Sequence, residues 1–118
     1  MRICKIFDWC ASHQLNLPYE SACRNMHGHN YKVEITVEGP PNEVGMVCDF
    51  KELKKIEQYS FDHKHLNDII KSKNPTAENI VLFLKSLIDE IDVLPNEVKV
   101  YKIRVWETPT SYAEQTWK

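Results

Sequence analysis

The sequence predicts an α+β domain in which two helices cover one face of a four-stranded antiparallel sheet, in the order strand, strand, helix, helix, strand, strand (ββααββ). Three observations predict it. Residues 27–38 alternate, with His27, His29, Tyr31, Val33, Ile35 and Val37 on one face and Gly28, Asn30, Lys32, Glu34, Thr36 and Glu38 on the other. That is the period of a strand with one buried side. Further on, Ile80, Val81, Leu84, Leu87, Ile88 and Ile91 recur at helical spacing and give one apolar stripe to pack on a sheet. Two more strand-like runs, about 97–107 and 111–117, flank a Thr-Pro-Thr turn at the end of the chain.

The remaining elements follow in order. In residues 2–13, Ile3, Phe7, Trp9, Ala11 and His13 share a parity that Lys5 interrupts, so His13 ends an early strand facing the same way as its apolar residues. Gly39-Pro40-Pro41 turns the chain, and Asp49 followed by Glu52 marks a helix start. Phe50, Leu53 and Ile56 then give a first helix to about Tyr59. Ser60 to Asn74 is a polar connector rich in histidine and aspartate, and Pro75-Thr76 opens the second helix with Thr76 as its cap.

Composition bounds the function. With 118 residues, 42% hydrophobic and 27% charged, the chain reads as one domain over residues 1–118. A lone domain of this size leaves much apolar surface in water, which favours self-association. A net charge of −2 offers no basic excess for a phosphate backbone and argues against nucleic acid as a partner. The longest strictly apolar run, Ile80 to Leu84, is far short of the roughly 20 residues that cross a bilayer, so no membrane span is expected. Lys5 and Asp8 break the apolar stretch that a secretory signal would need, and the expected location is the cytoplasm. Cys4, Cys10 and Cys48 lie in or beside strand-like runs without chemical company and are expected to pack as core residues.

The chemistry concentrates elsewhere. His27 and His29, at i and i+2 on a strand, project to one side, and the glycine between them is expected to keep their approach to a shared ion unobstructed. With His13 they would supply three neutral nitrogens and leave one position open, the arrangement of a catalytic zinc. Cys23 precedes His27 by four residues and is followed by Arg24. It reads either as a thiolate base or nucleophile beside the metal, or as a fourth ligand that closes a structural site. Asp62-His63 pairs a carboxylate with an imidazole, as proton relays do, whereas His65 and Asp68 read as a solvated turn. Glu107 ends an apolar strand, where a carboxylate either meets water or accepts paired N–H donors from a guanidine-like edge.

His13, Cys23-x-x-x-His27-Gly-His29, Gly45-Met46-Val47-Cys48-Asp49-Phe50, Phe61-Asp62-His63-Lys64-His65-Leu66-Asn67, Asn74-Pro75-Thr76-Ala77-Glu78-Asn79 and Trp106-Glu107-Thr108 together resemble the 6-pyruvoyltetrahydropterin synthase family, in order over nearly the whole chain. Three residues between the cysteine and His-Gly-His are similar to the 6-carboxytetrahydropterin synthase branch, which serves queuosine and other deazapurine synthesis. The resemblance implies the tunnelling fold, in which three subunits join their sheets into a barrel, two trimers stack into a homohexamer, and active sites lie at subunit interfaces. It implies a zinc-dependent lyase that converts 7,8-dihydroneopterin triphosphate to 6-carboxy-5,6,7,8-tetrahydropterin, acetaldehyde and triphosphate. His13, His27 and His29 would hold Zn2+, Cys23 would be the acid/base on one face, and Asp62 with His63 would handle protons from the other. Glu107 would anchor the pterin with Thr76 assisting.

Two alternatives stand beside this reading, a sister enzyme that makes the pyruvoyl product and a noncatalytic module with a structural Cys-His-His-His zinc. Two positions depart from the family pattern. Cys10 stands where relatives usually have small or apolar residues and is a candidate to compete for the metal or to oxidise, and Ala77 replaces a second hydroxyl after Thr76. No triphosphate motif is evident. Arg24, Lys64 and Lys32 qualify only by charge, and Lys32 lies on the wrong strand face.

Overall fold

The computed structural model describes residues 1–71 and 73–118. Strand β1 (Arg2–His13) and strand β2 (His27–Glu38) pair antiparallel along their whole length, from Arg2 opposite Glu38 to His13 opposite His27. Helix α1 (Phe50–Lys54), strand β3 (Lys64–His65), helix α2 (Ala77–Ile91), strand β4 (Lys99–Thr108) and strand β5 (Ser111–Thr116) follow. The sheet order is β3-β1-β2-β4-β5. The expected four antiparallel strands are all present, and the fifth, β3, runs parallel to β1 against Ala11 and Ser12. Two residues have no period to read, so this strand was invisible in the sequence.

Alternation becomes burial as expected. Phe7, Trp9, Ala11 and His13 of β1, Tyr31, Val33, Ile35 and Val37 of β2, and Val100, Ile103 and Val105 of β4 face one core. Lys5 shares this parity without breaking it, because it lies near the sheet's end with its ammonium 5.9 Å from the centre of the Phe7 ring. Helix α2 lays Ala77, Ile80, Val81, Leu84 and Ile88 on β4 and β5, and Thr76 caps it by accepting the Asn79 N–H. Among the described residues no helix is long and apolar enough to cross a membrane.

Three expectations are corrected. The first helix is α-helical only to Lys54 and continues as a 3₁₀ turn, Lys55–Tyr59. The three-residue period of that turn keeps Leu53 and Ile56 buried together. Phe50, at the helix's first position, stays 52% exposed. Of the three cysteines expected in the core only Cys48 is buried, whereas Cys4 and Cys10 are exposed because they sit on the even, outward parity of β1. Gly39 is where a close approach demands glycine. A Cβ there would lie 2.8 Å from the Glu97 carbonyl oxygen and 2.9 Å from Val98 Cγ2.

Candidate metal centre

The pairing of β1 with β2 sets His13 directly opposite His27, and His29 follows two residues along on the same face. The rings meet edge to face, with centroids 4.5 Å apart for His13 and His27, 5.1 Å for His13 and His29, and 5.0 Å for His27 and His29. One nitrogen from each lies within 4.8 Å of the others. The intervening glycine has no part in this, since a Cβ on Gly28 would only touch the Ala11 carbonyl oxygen at 3.4 Å on the other face of the strand.

Backbone carbonyls fix how two of these rings present themselves. His13 Nδ1 lies 2.8 Å from the Pro75 carbonyl oxygen and His27 Nδ1 lies 2.8 Å from that of Asn25. A carbonyl only accepts, so both Nδ1 atoms carry the proton and both Nε2 atoms present lone pairs. Those lone pairs face each other at 2.9 Å, a repulsive arrangement unless a cation or a shared proton lies between them. His29 Nε2 is buried and has no hydrogen-bond partner, a cost a ligand would remove. Burial, ahead of the neighbouring imidazoles, pushes the His13 pKa below its ordinary value and favours the neutral form a metal needs. The donor set therefore fits a divalent cation of borderline softness.

Glu107 reaches the cluster from a bulge. The pairing of β4 with β5 shifts between Trp106 and Thr108, and Glu107 shares the parity of Ile103 and Val105. It is half-buried, with Oε1 3.6 Å from His29 Nε2. It also lines a cavity of 430 Å³ with His29, Trp106 and Thr108, where β2 runs on past the end of β4. Behind the cluster, the fully buried Tyr31 brings its hydroxyl to 3.3 Å from His13 Nδ1. Burial and the Glu107 charge push its pKa well above the ordinary phenol value, so it remains a neutral O–H. The sequence reading counted Tyr31 as core only.

Other candidate residues lie apart. Cys23 is half-buried in a 3₁₀ turn, Ala22–Arg24. Among the described residues the histidine set does not extend to it, so the four-ligand group of a closed structural site is not formed. Arg24 pairs with Glu20 at 3.2 Å. Asp62 and His63 are fastened to the edge of β1 at Cys10, whose N–H donates to Asp62 Oδ1 at 2.7 Å and whose carbonyl accepts the His63 N–H at 2.6 Å. His63 is 82% exposed, with Nε2 3.6 Å from Asp62 Oδ2. Its side chain lies outside the histidine group and lines an open concavity with Cys10, Ser12, Gly28, Asn30 and His29 itself. Cys10 is turned from the cluster and donates to Asn30, which corrects the expectation that it competes for metal. His65 is half-buried on Ser12 Oγ at 2.9 Å rather than solvated. Thr76 follows the carbonyl that holds His13, its oxygen engaged as the α2 cap.

The chain matches the model of the 6-pyruvoyl tetrahydropterin synthase family over residues 2–117. It is 36% identical over 109 residues to the 6-carboxy-5,6,7,8-tetrahydropterin synthase of Bacillus subtilis, covering 81% of this chain and 73% of that one. It is 37% identical over 95 residues to the dihydroneopterin monophosphate aldolase of Pyrococcus furiosus, covering 78% and 79%. The structure superposes on Caenorhabditis elegans 6-pyruvoyl tetrahydropterin synthase with a TM-score of 0.85 at 24% identity, covering 100% and 96%, a likeness of fold. On the match along its length and on these relatives, the chain belongs to the 6-pyruvoyl tetrahydropterin synthase family.

Proposed function

We propose that the protein is a zinc-dependent lyase that converts 7,8-dihydroneopterin triphosphate to 6-carboxy-5,6,7,8-tetrahydropterin, acetaldehyde and triphosphate, within queuosine or related deazapurine synthesis. The observation that carries this reading is the convergence of His13, His27 and His29, two of them turned by carbonyls to offer Nε2, beside a half-buried Glu107. Zinc held there would supply Lewis acidity to the hydroxyls of the substrate's side chain.

The chain's own groups do the rest. Glu107 accepts two N–H bonds from the 2-amino and ring N–H edge of the pterin and orients it, with the Thr76 hydroxyl assisting. Cys23 moves a proton on one face of the substrate side chain. The Asp62-His63 pair, which stands outside the histidine group of its own chain, serves the other face and is supplied by a neighbouring subunit. Two features support such an assembly. Strand β5 is an open sheet edge, and β3 covers β1 only at Ala11 and Ser12, which leaves edges for strand pairing between copies. A trimeric barrel stacked into a homohexamer, at work in the cytoplasm, is the form we infer.

A second reading rests on the similarity to the Pyrococcus furiosus aldolase, a relative named for a monophosphate substrate. The deciding experiment incubates zinc-loaded protein anaerobically with dihydroneopterin triphosphate and, separately, with the monophosphate, and identifies products by mass spectrometry against a Cys23→Ala control. Carboxytetrahydropterin with acetaldehyde from the triphosphate supports the proposal. Pyruvoyltetrahydropterin, or turnover of the monophosphate alone, replaces it with a sister activity.

A further inference from the structure

The segment that carries Cys23, residues 14–26, has no buried residue, so packing does not fix its place. Two asparagine side chains do. Gln14 N–H donates to Asn67 Oδ1 at 2.9 Å and Asn67 Nδ2 returns a bond to the Gln14 carbonyl at 2.9 Å. Asn16 N–H donates to Asn74 Oδ1 at 2.8 Å and Asn74 Nδ2 returns one to the Asn16 carbonyl at 2.8 Å. Each amide thus imitates a neighbouring strand, giving one donor and one acceptor to a residue's main chain. Between the two clamped residues, Leu15 N–H donates to the Cys23 carbonyl at 2.8 Å.

The far end of this chain of contacts is the metal centre. The Asn74 carbonyl is held by Asn79 Nδ2 at 2.8 Å and by Thr76 N–H at 2.9 Å, and the next carbonyl, that of Pro75, accepts from His13 Nδ1. Asn74-Pro75 is therefore a joint, with the asparagine side chain gripping the Cys23 segment and the proline carbonyl gripping a metal ligand. We propose that Asn67 and Asn74 are positioning residues that fix the Cys23 thiol relative to the histidine cluster. The role of that thiol rests on the function proposed above, whereas the clamp itself can be tested without it.

The protein's own cysteines provide the test. Iodoacetamide labelling of zinc-loaded Asn67→Ala, Asn74→Ala and the double variant is followed by peptide mass spectrometry. Exposed Cys4 and Cys10 serve as references, and buried Cys48 reports loss of fold. The expected result is a roughly tenfold rise in Cys23 labelling in each single variant, unchanged Cys10 and Cys48, full zinc content, and a kcat lowered on the order of 10²-fold with little change in KM. Asn67→Asp, which keeps the acceptor for the Gln14 N–H and loses the donor, falls between. Cys23 labelling equal to that of the unsubstituted protein overturns the proposal. So does a rise matched at Cys48 in both single variants. Selective labelling with unchanged turnover upholds the clamp and removes Cys23 from the chemistry.

Discussion

The two halves of the candidate site are built differently. The three histidines sit on adjacent paired strands, His13 fully buried, with two Nδ1 protons committed to carbonyls. Cys23 lies on a segment without a buried residue, held by hydrogen bonds, whereas Asp62 and His63, themselves partly or largely exposed, are flanked by buried Phe61 and Leu66 and tied to the edge of β1 at Cys10. Three nitrogens able to hold a metal are thus gathered within one folded chain, while the groups proposed to move protons stand outside that set and, on the function proposed above, are completed by a second chain.

The sharpest way to break this contrast is His27→Ala. Stoichiometric zinc and activity should both be lost while the chain stays folded, as elemental analysis and circular dichroism would show; full zinc retention would remove His27 from the ligand set. Cys23→Ala should do the converse, keeping zinc and fold while turnover drops about 10²- to 10⁴-fold. Loss of zinc from that variant would revive the closed four-ligand reading. Glu107→Gln should act mainly on binding, with KM raised roughly 10- to 100-fold from the loss of a charge-assisted contact. An unchanged KM would end the anchoring role.

The smallest effect concerns pH. His13 has a folded-state pKa below its ordinary 6.5 because it is buried, so the unfolded chain takes up the proton first as pH falls. In zinc-free protein its contribution to stability is whole above about pH 6.5 and declines below it toward the folded-state value. Thermal melts at pH 7.5 and 5.5 should show a Tm drop that His13→Gln diminishes. Equal drops in both proteins would mean that other groups carry the pH dependence.

How much of this was legible in the sequence follows from the same contrast. Strand parity is local, and it placed His13, His27 and His29 on one face, whereas Glu107 at its strand end was left open between water and paired N–H donors. The same parity turns Cys4 and Cys10 outward, so expecting them in the core gave residue type more weight than position. What stayed hidden depends on distant segments meeting. The Pro75 carbonyl behind His13 and the asparagine grips on Gln14 and Asn16 join residues 53 to 62 positions apart in the sequence, and no local pattern announces them. The two-residue β3 and the switch from α1 to a 3₁₀ turn were too short to leave a period.

Whether the metal ligands and the Asp62-His63 pair meet only across subunits can be read by mixing two inactive variants. His27→Ala and Asp62→Asn, co-refolded in equal amounts with zinc, should regain activity at about a quarter of the sites by random assortment in a symmetric oligomer. A mixture as inactive as its parts, with mixed oligomers verified by native mass spectrometry, would contradict the account and place both halves of the site in one chain.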